Sequence, residues 1–314
     1  MNTHRSQYID NIKGFLIILV VLGHVIQYAV EQGVVIERYI SSFHMPLFMA
    51  ISGYCSYGMR FERSIISKRA VRLLVPFLSW AVVKSLLQRN LLYFWTIIQY
   101  PDRGLWFLQA LFFITLIIVM IDNFNKYKSG LFFYGMIFLV WILITSVSMG
   151  LNVKTFGLPF IGWHLPFFTL GFAMRQYNVL DKMSIGLPIV CLIVWCVAGY
   201  WCSEDLLAIQ HVYYRLAEMA IASLAIIGWL GIFHAFLDKK MVVLSYLGRK
   251  THGIYSVTLT TEITLLGFVY PYVSHMHYLL TAFVLTAFLI CFALGMHWLL
   301  DKNRYSRILF LGQV

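Results

Sequence analysis

Apolar runs about 20 residues long recur from one end of this chain to the other, and no other feature constrains it as tightly. A run of that length is stable as a helix crossing a hydrocarbon layer about 30 Å thick, because the helix satisfies its own backbone groups. Ten such segments are read, at 12–30, 40–57, 71–88, 105–121, 130–149, 158–174, 185–202, 216–236, 252–270 and 278–300. The chain is 314 residues long, with 61% hydrophobic and 12% charged residues, where a soluble domain carries about 25% charged. The expected fold is all-α: a polytopic transmembrane helical bundle forming one domain over residues 1–314. Residues 1–8 are polar and precede no cleavage site, so the first span is expected to be retained.

A net charge of +11 could suggest a nucleic-acid partner, but its distribution argues for topology instead. On the ten-span reading, 18 of the 24 Lys and Arg residues fall at one end of the bundle. The loop 58–70 and the pair Arg304 and Arg307 belong to that end. The positive-inside rule makes this end cytoplasmic, with both termini inside, in a plasma or bacterial inner membrane. The opposite end carries the acidic pair Glu204 and Asp205 and aromatic clusters such as Tyr213 and Tyr214, as an interfacial belt would. The five cysteines lie in or at the ends of spans, without metal-ligand spacing, and read as small packing residues. No metal is expected.

Ionisable side chains inside the spans carry the chemistry. His24 stands eleven residues after Lys13, or about 16 Å further along a helix, near the bilayer midplane. His44, Lys84, His164 and Glu262 come from four other spans, and each falls about 14–20 Å from the cytoplasmic edge. Each also has a plain structural reading. A histidine can simply hydrogen-bond neighbouring helices, Lys84 can extend its stem to the interface, and Glu262 can pair with Lys84 or with nearby hydroxyls. Equal depth does not make the five face one another. A histidine titrating near neutrality, oriented by a carboxylate, suits general-base work on a hydroxyl.

A second group lies at the cytoplasmic edge. Lys68-Arg69-Ala70-Val71-Arg72 opens the third span, with Arg69 and Arg72 on one helix face. On this reading the pair also occupies a helix N-terminus, where backbone N–H groups favour an anion. Arginine pairs with phosphate bidentately, although anchoring on lipid phosphates explains the same pattern.

The motifs together resemble one family. Lys13-x10-His24 within Tyr8-Ile-Asp-Asn-Ile-Lys-Gly-Phe resembles the first helix of the acyltransferase-3 family of membrane O-acyltransferases, with Lys13 where the family usually has Arg. Phe43-His44-Met45-Pro46, running on to Ser52-Gly53-Tyr54, resembles its second helix. Arg69-x-x-Arg72 with Leu73-Leu74-Val75-Pro76 resembles its cytoplasmic arginine motif. Leu105-Trp106-Phe107, Leu165-Pro166-Phe167 and Tyr246-Leu247-Gly248 through Gly253-Ile254-Tyr255 resemble later segments. The first two helices are most similar to the branch of fucose 4-O-acetylase-like proteins. Many members carry a histidine two or three residues after the Ile-Tyr pair, where this chain has Ser256, Val257 and Thr258.

The resemblance implies transfer of an acyl group, with acetyl expected, from cytoplasmic acetyl-CoA or another acyl-CoA. The acceptor is expected to be a sugar hydroxyl of an extracytoplasmic or lipid-linked glycan. His24, with His44 and Glu262, forms the expected catalytic set. Lys13, Arg69 and Arg72 are expected to hold the donor, and Trp106, Trp163 and His164 the acceptor. Membrane lipids surround the chain on this reading. A proton-coupled transporter or glycan flippase is the alternative, because midplane ionisable residues are equally typical of carriers.

Overall fold

The computed structural model describes residues 6–30, 33–59, 62–125, 129–202, 212–239 and 241–313. Arg5, Arg60, Lys126, Lys128 and Lys240 of the basic end, and Glu204 and Asp205 of the opposite loop, lie outside these residues. The chain runs α1 (Gln7–Ala29), α2 (Val34–Ser56), α3 (Arg63–Leu87), α4 (Tyr93–Gln99), α5 (Trp106–Phe124), α6 (Gly130–Gly150), α7 (Leu158–Gln176), α8 (Val179–Lys182), α9 (Gly186–Cys202), α10 (Val212–Phe236), α11 (Val242–Val273), α12 (Tyr278–Asp301) and α13 (Arg304–Leu311).

Each of the ten predicted segments lies largely within one of the ten long helices. Seven of these (α1, α3, α5, α6, α7, α10 and α12) are long and apolar enough to cross a membrane. The protein is a multi-pass helical membrane protein. α2 and α11 fall below that hydropathy because of the polar residues they bring inward, among them His44, His252 and Glu262. Several helices begin well before their apolar windows, because the helix ladder continues into polar sequence. α11 starts at Val242 rather than at 252, and α3 at Arg63 rather than at 71.

Helices in lipid gain little from burying leucine, since lipid tails are equally apolar; close packing at small residues matters more. Two glycine pairs do this work. A Cβ on Gly14 would collide with the Leu244 backbone carbonyl, and one on Gly248 with the Asp10 carbonyl. Cβ vectors tilt toward the helix N-terminus, so this reciprocal pattern means that α1 and α11 run parallel. Ser245 Oγ donates to Asn11 Oδ1 at 2.6 Å across the same crossing. Gly53 and Gly171 repeat the arrangement against the Phe168 and Ala50 carbonyls, so α2 and α7 are also parallel.

Prolines inside helices free the carbonyl four residues earlier. Pro166 frees that of Gly162, which accepts from the Trp141 indole N–H at 2.9 Å. Pro76 frees that of Arg72, and Gly312 at the end of α13 packs directly on it. α13 is short and polar, and the hydropathy reading did not register it. Its Phe310 carbonyl accepts from Trp80 Nε1 at 3.0 Å, which ties it to α3.

Candidate active site

The parallel crossing of α1 and α11 sets the geometry of the centre. From Gly14 and Gly248 the two helices climb side by side, and His24 and Glu262 meet near the middle of the bundle. His24 Nδ1 lies 3.3 Å from Glu262 Oε1, with 26% and 6% of the two side chains exposed. The contact is an ion-pair approach rather than an aligned hydrogen bond. A carboxylate beside Nδ1 favours the tautomer that carries its proton there. Nε2 then keeps its lone pair, which is the state a general base requires. The Tyr28 ring stacks on His24 at 5.9 Å.

The other midplane groups gather round this pair. Lys84 on α3 lies within electrostatic range of Glu262. His44 stands in that range of His24, and His164 in that of His44. Each of these two histidines faces its own helix backbone: His44 Nδ1 is 2.6 Å from the Ile40 carbonyl, and His164 Nδ1 is 2.9 Å from that of Phe160. A carbonyl only accepts, so both Nδ1 atoms donate and both Nε2 atoms are left as acceptors. The pair is a local repeat. His44-Met45-Pro46 and His164-Leu165-Pro166 sit on the parallel helices α2 and α7 at nearly the same level. The match spans only a few residues, too short to stand out as a repeat in the sequence.

A cavity of about 410 Å³ opens on the basic end below this group, within the usual range for a ligand site. Lys13, Lys68, Arg69, Arg72 and Arg249 line it. Ile17, Met45, Phe48, Phe107 and Tyr255 form its apolar part. Lys13, Arg69 and Arg72 are thus brought together. Arg69 Nη2 donates to Ser56 Oγ at 3.3 Å. The helix-terminus part of the anion reading is corrected. α3 begins two turns before Arg69, so the backbone N–H groups there are already in the helix ladder, and the dipole effect fades within the first turn. An anion at this place is held by side chains alone. Lys68, Arg249, His252 and Tyr255 also line the cavity, and the sequence reading gave them no role there. Arg249, His252 and Tyr255 follow one another three residues apart on one face of α11, within the Tyr246–Tyr255 segment that resembles the family.

The expected acceptor residues separate into two places. Trp106 packs on His164 at 5.0 Å and stacks on Phe160 at 4.5 Å, so both join the polar centre. Trp163 turns to the other side of α7. It lies under the Arg215 guanidinium at 5.6 Å and lines a separate cavity of about 140 Å³ between α6, α7 and α10. Among the described residues, no group of three His, Cys, Asp or Glu could hold a metal ion.

A parallel helix pair holds a histidine–carboxylate contact inside a multi-pass membrane bundle, above a basic cavity. The chain belongs to the acyltransferase family described as "Acyltransferase domain", which matches residues 6–298. It is 30% identical over 202 residues to nodulation protein NolL of Mesorhizobium japonicum, covering 55% of this chain and 48% of that protein. It is also 30% identical over 218 residues to nodulation protein NolL of Sinorhizobium fredii, covering 62% of this chain and 57% of the relative. The chain thus spans about half the length of these relatives. No solved structure matches it.

Proposed function

We propose that this protein is a membrane O-acyltransferase that moves an acyl group, acetyl on our reading, from acyl-CoA to a sugar hydroxyl of a glycan. The donor enters the basic cavity from the cytoplasm and the acceptor reaches the centre from the outer side. The observation that carries this reading is the 3.3 Å contact of His24 Nδ1 with Glu262, held above a cavity rich in cations. CoA is a polyanion, and five cationic side chains at one face fit its phosphates. A carrier for protons and sugars has no need of such a site.

In the proposed step, Nε2 of His24 removes the proton from the acceptor hydroxyl while its oxygen attacks the thioester carbonyl. Glu262 stabilises the imidazolium that forms. As the tetrahedral adduct collapses, the C–S bond breaks, the CoA thiolate leaves, and the imidazolium returns the proton to sulfur. The products are the acyl ester and free CoA. His44, His164 and Trp106 would orient the acceptor, and Lys13, Arg69 and Arg72 the donor.

His24→Ala is expected to abolish acyl transfer, measured as labelled acetyl incorporated into surface glycan, while CoA still raises the melting temperature of the purified protein. Near-normal transfer by the variant would exclude His24 as the base. Absence of any CoA-induced shift in the unaltered protein would favour the carrier reading.

A further inference from the structure

Two polar side chains in the basic cavity have no hydrogen-bond partner within the protein. Tyr255 is 5% exposed and lines the cavity, and its hydroxyl lies near the Phe107 backbone without closing a hydrogen bond. His252, one turn below on the same face of α11, lines the cavity with both ring nitrogens unpaired. The Leu311 backbone lies close to it. Four threonines on this helix behave differently, although Ser256 Oγ, outside the cavity lining, is also without a partner. Thr251, Thr258, Thr260 and Thr261 each donate to a carbonyl one turn back. Buried polar groups are normally satisfied, and leaving one bare costs its desolvation. Two bare groups in the wall of one cavity therefore point to a ligand with hydrogen-bonding groups along its length.

Their height says which part of a ligand they would meet. Tyr255 stands seven residues below Glu262 on α11, and His252 ten residues below. Along a helix these are about 10 Å and about 15 Å. The five cations line the same cavity, around and below this level. A donor with its phosphates on the cations and its thioester at His24 must thread its pantetheine arm past Tyr255. That arm carries two peptide-like amides, which need partners once they leave water. Phe107, which packs on Tyr255, and Phe48, which packs on Phe107, line the apolar part of the cavity and offer it none.

Resting on the donor reading above, we propose that Tyr255 and His252 form the polar side of the pantetheine channel and hydrogen-bond its amides and hydroxyl. The pair fixes how far the thioester rises toward His24. It also selects a pantetheine thioester over other acylated anions, a choice the cations alone cannot make.

The test measures dissociation constants of the full-length protein in detergent for CoA and for 3′,5′-ADP, which has phosphates and adenine but no arm. Tyr255→Phe and His252→Phe should each weaken CoA about five- to tenfold, the worth of one hydrogen bond. Neither should alter 3′,5′-ADP binding by more than about twofold, whereas Arg72→Gln should weaken both ligands. Without ligand, Tyr255→Phe should melt at the same temperature as the unaltered protein or higher, because it removes a bare buried hydroxyl. Unchanged CoA affinity in both phenylalanine variants, or equal loss for the two ligands, would overturn the assignment while leaving the donor reading standing. If the unaltered protein binds neither ligand, the donor reading itself fails and this one falls with it.

Discussion

At the residue scale the centre turns on Glu262. A carboxylate this deep in a membrane helix is costly unless a partner stabilises its charge, and His24 and Lys84 both stand near it. Its proposed task is to keep the proton on His24 Nδ1. Glu262→Gln preserves the shape and removes that control, since an amide can donate to Nδ1 as readily as accept from it. The imidazole can then sit in the tautomer whose Nε2 carries hydrogen and accepts none. The expected outcome is a fall in kcat of about 10²–10⁴-fold with a melting temperature close to that of the unaltered protein, read from steady-state transfer and thermal unfolding. A variant within threefold of normal kcat would remove Glu262 from the mechanism. Sequence made part of this legible. Counting residues from the basic edge put His24 and Glu262 at one depth, because the rise of a helix is fixed. It did not say that they touch, because the direction in which a side chain points depends on how helices rotate as they pack. Tyr255 and His252 were illegible for a related reason. A bare hydroxyl is a property of the space around it, and no spacing along α11 announces it.

At the element scale the site depends on small residues where backbones meet. The α1–α11 crossing, with the backbones in contact at Gly14 and Gly248, sets the angle and register that deliver His24 to Glu262. The apolar windows gave the ten long helices but not the ends of α3 and α11, since a hydropathy average falls at the first charged residues while the hydrogen-bond ladder does not. α13 was missed for the same reason, and it lies beyond residues 6–298, the part that matches the family. The C-terminal end of this helix nevertheless packs against two helices that line the basic cavity. Gly312 rests on the Arg72 carbonyl, and Leu311 packs beside Gly253, next to His252. Gly312 also has φ +62°, which a β-branched residue adopts only with strain. Gly312→Val should therefore lift α13 off α3, lower stability by about 1–3 kcal/mol and raise the KM for acetyl-CoA several-fold. Thermal unfolding and donor-saturation curves check this. A loss of stability with an unchanged donor KM would make α13 a brace for the fold alone.

At the scale of the whole molecule, the proposed reaction needs two entrances on opposite sides of the membrane. α1 and α11 rise from the basic end while α2 and α7 descend to it, so His24, Glu262, His44 and His164 reach the centre from both directions. The cavity proposed for the donor is lined by cations of the basic end. If that end faces the cytoplasm, as the charge distribution predicts, acyl-CoA must be supplied there and cannot be used from outside. Sealed membrane vesicles of the two orientations separate these cases, because CoA is too highly charged to cross the bilayer. Labelled acetyl-CoA added outside inverted vesicles should acylate a glycan acceptor enclosed in the lumen. Right-side-out vesicles should transfer almost none until a detergent opens them. Raising the salt should increase the donor KM in the inverted vesicles, since the cations at the cavity mouth are partly open to solvent and their attraction is screened over about 8–10 Å at physiological ionic strength. Equal transfer by intact vesicles of both orientations would mean that the basic cavity is not the donor entrance. Transfer only by the right-side-out preparation would invert the topology, and with it the route assigned to the acceptor.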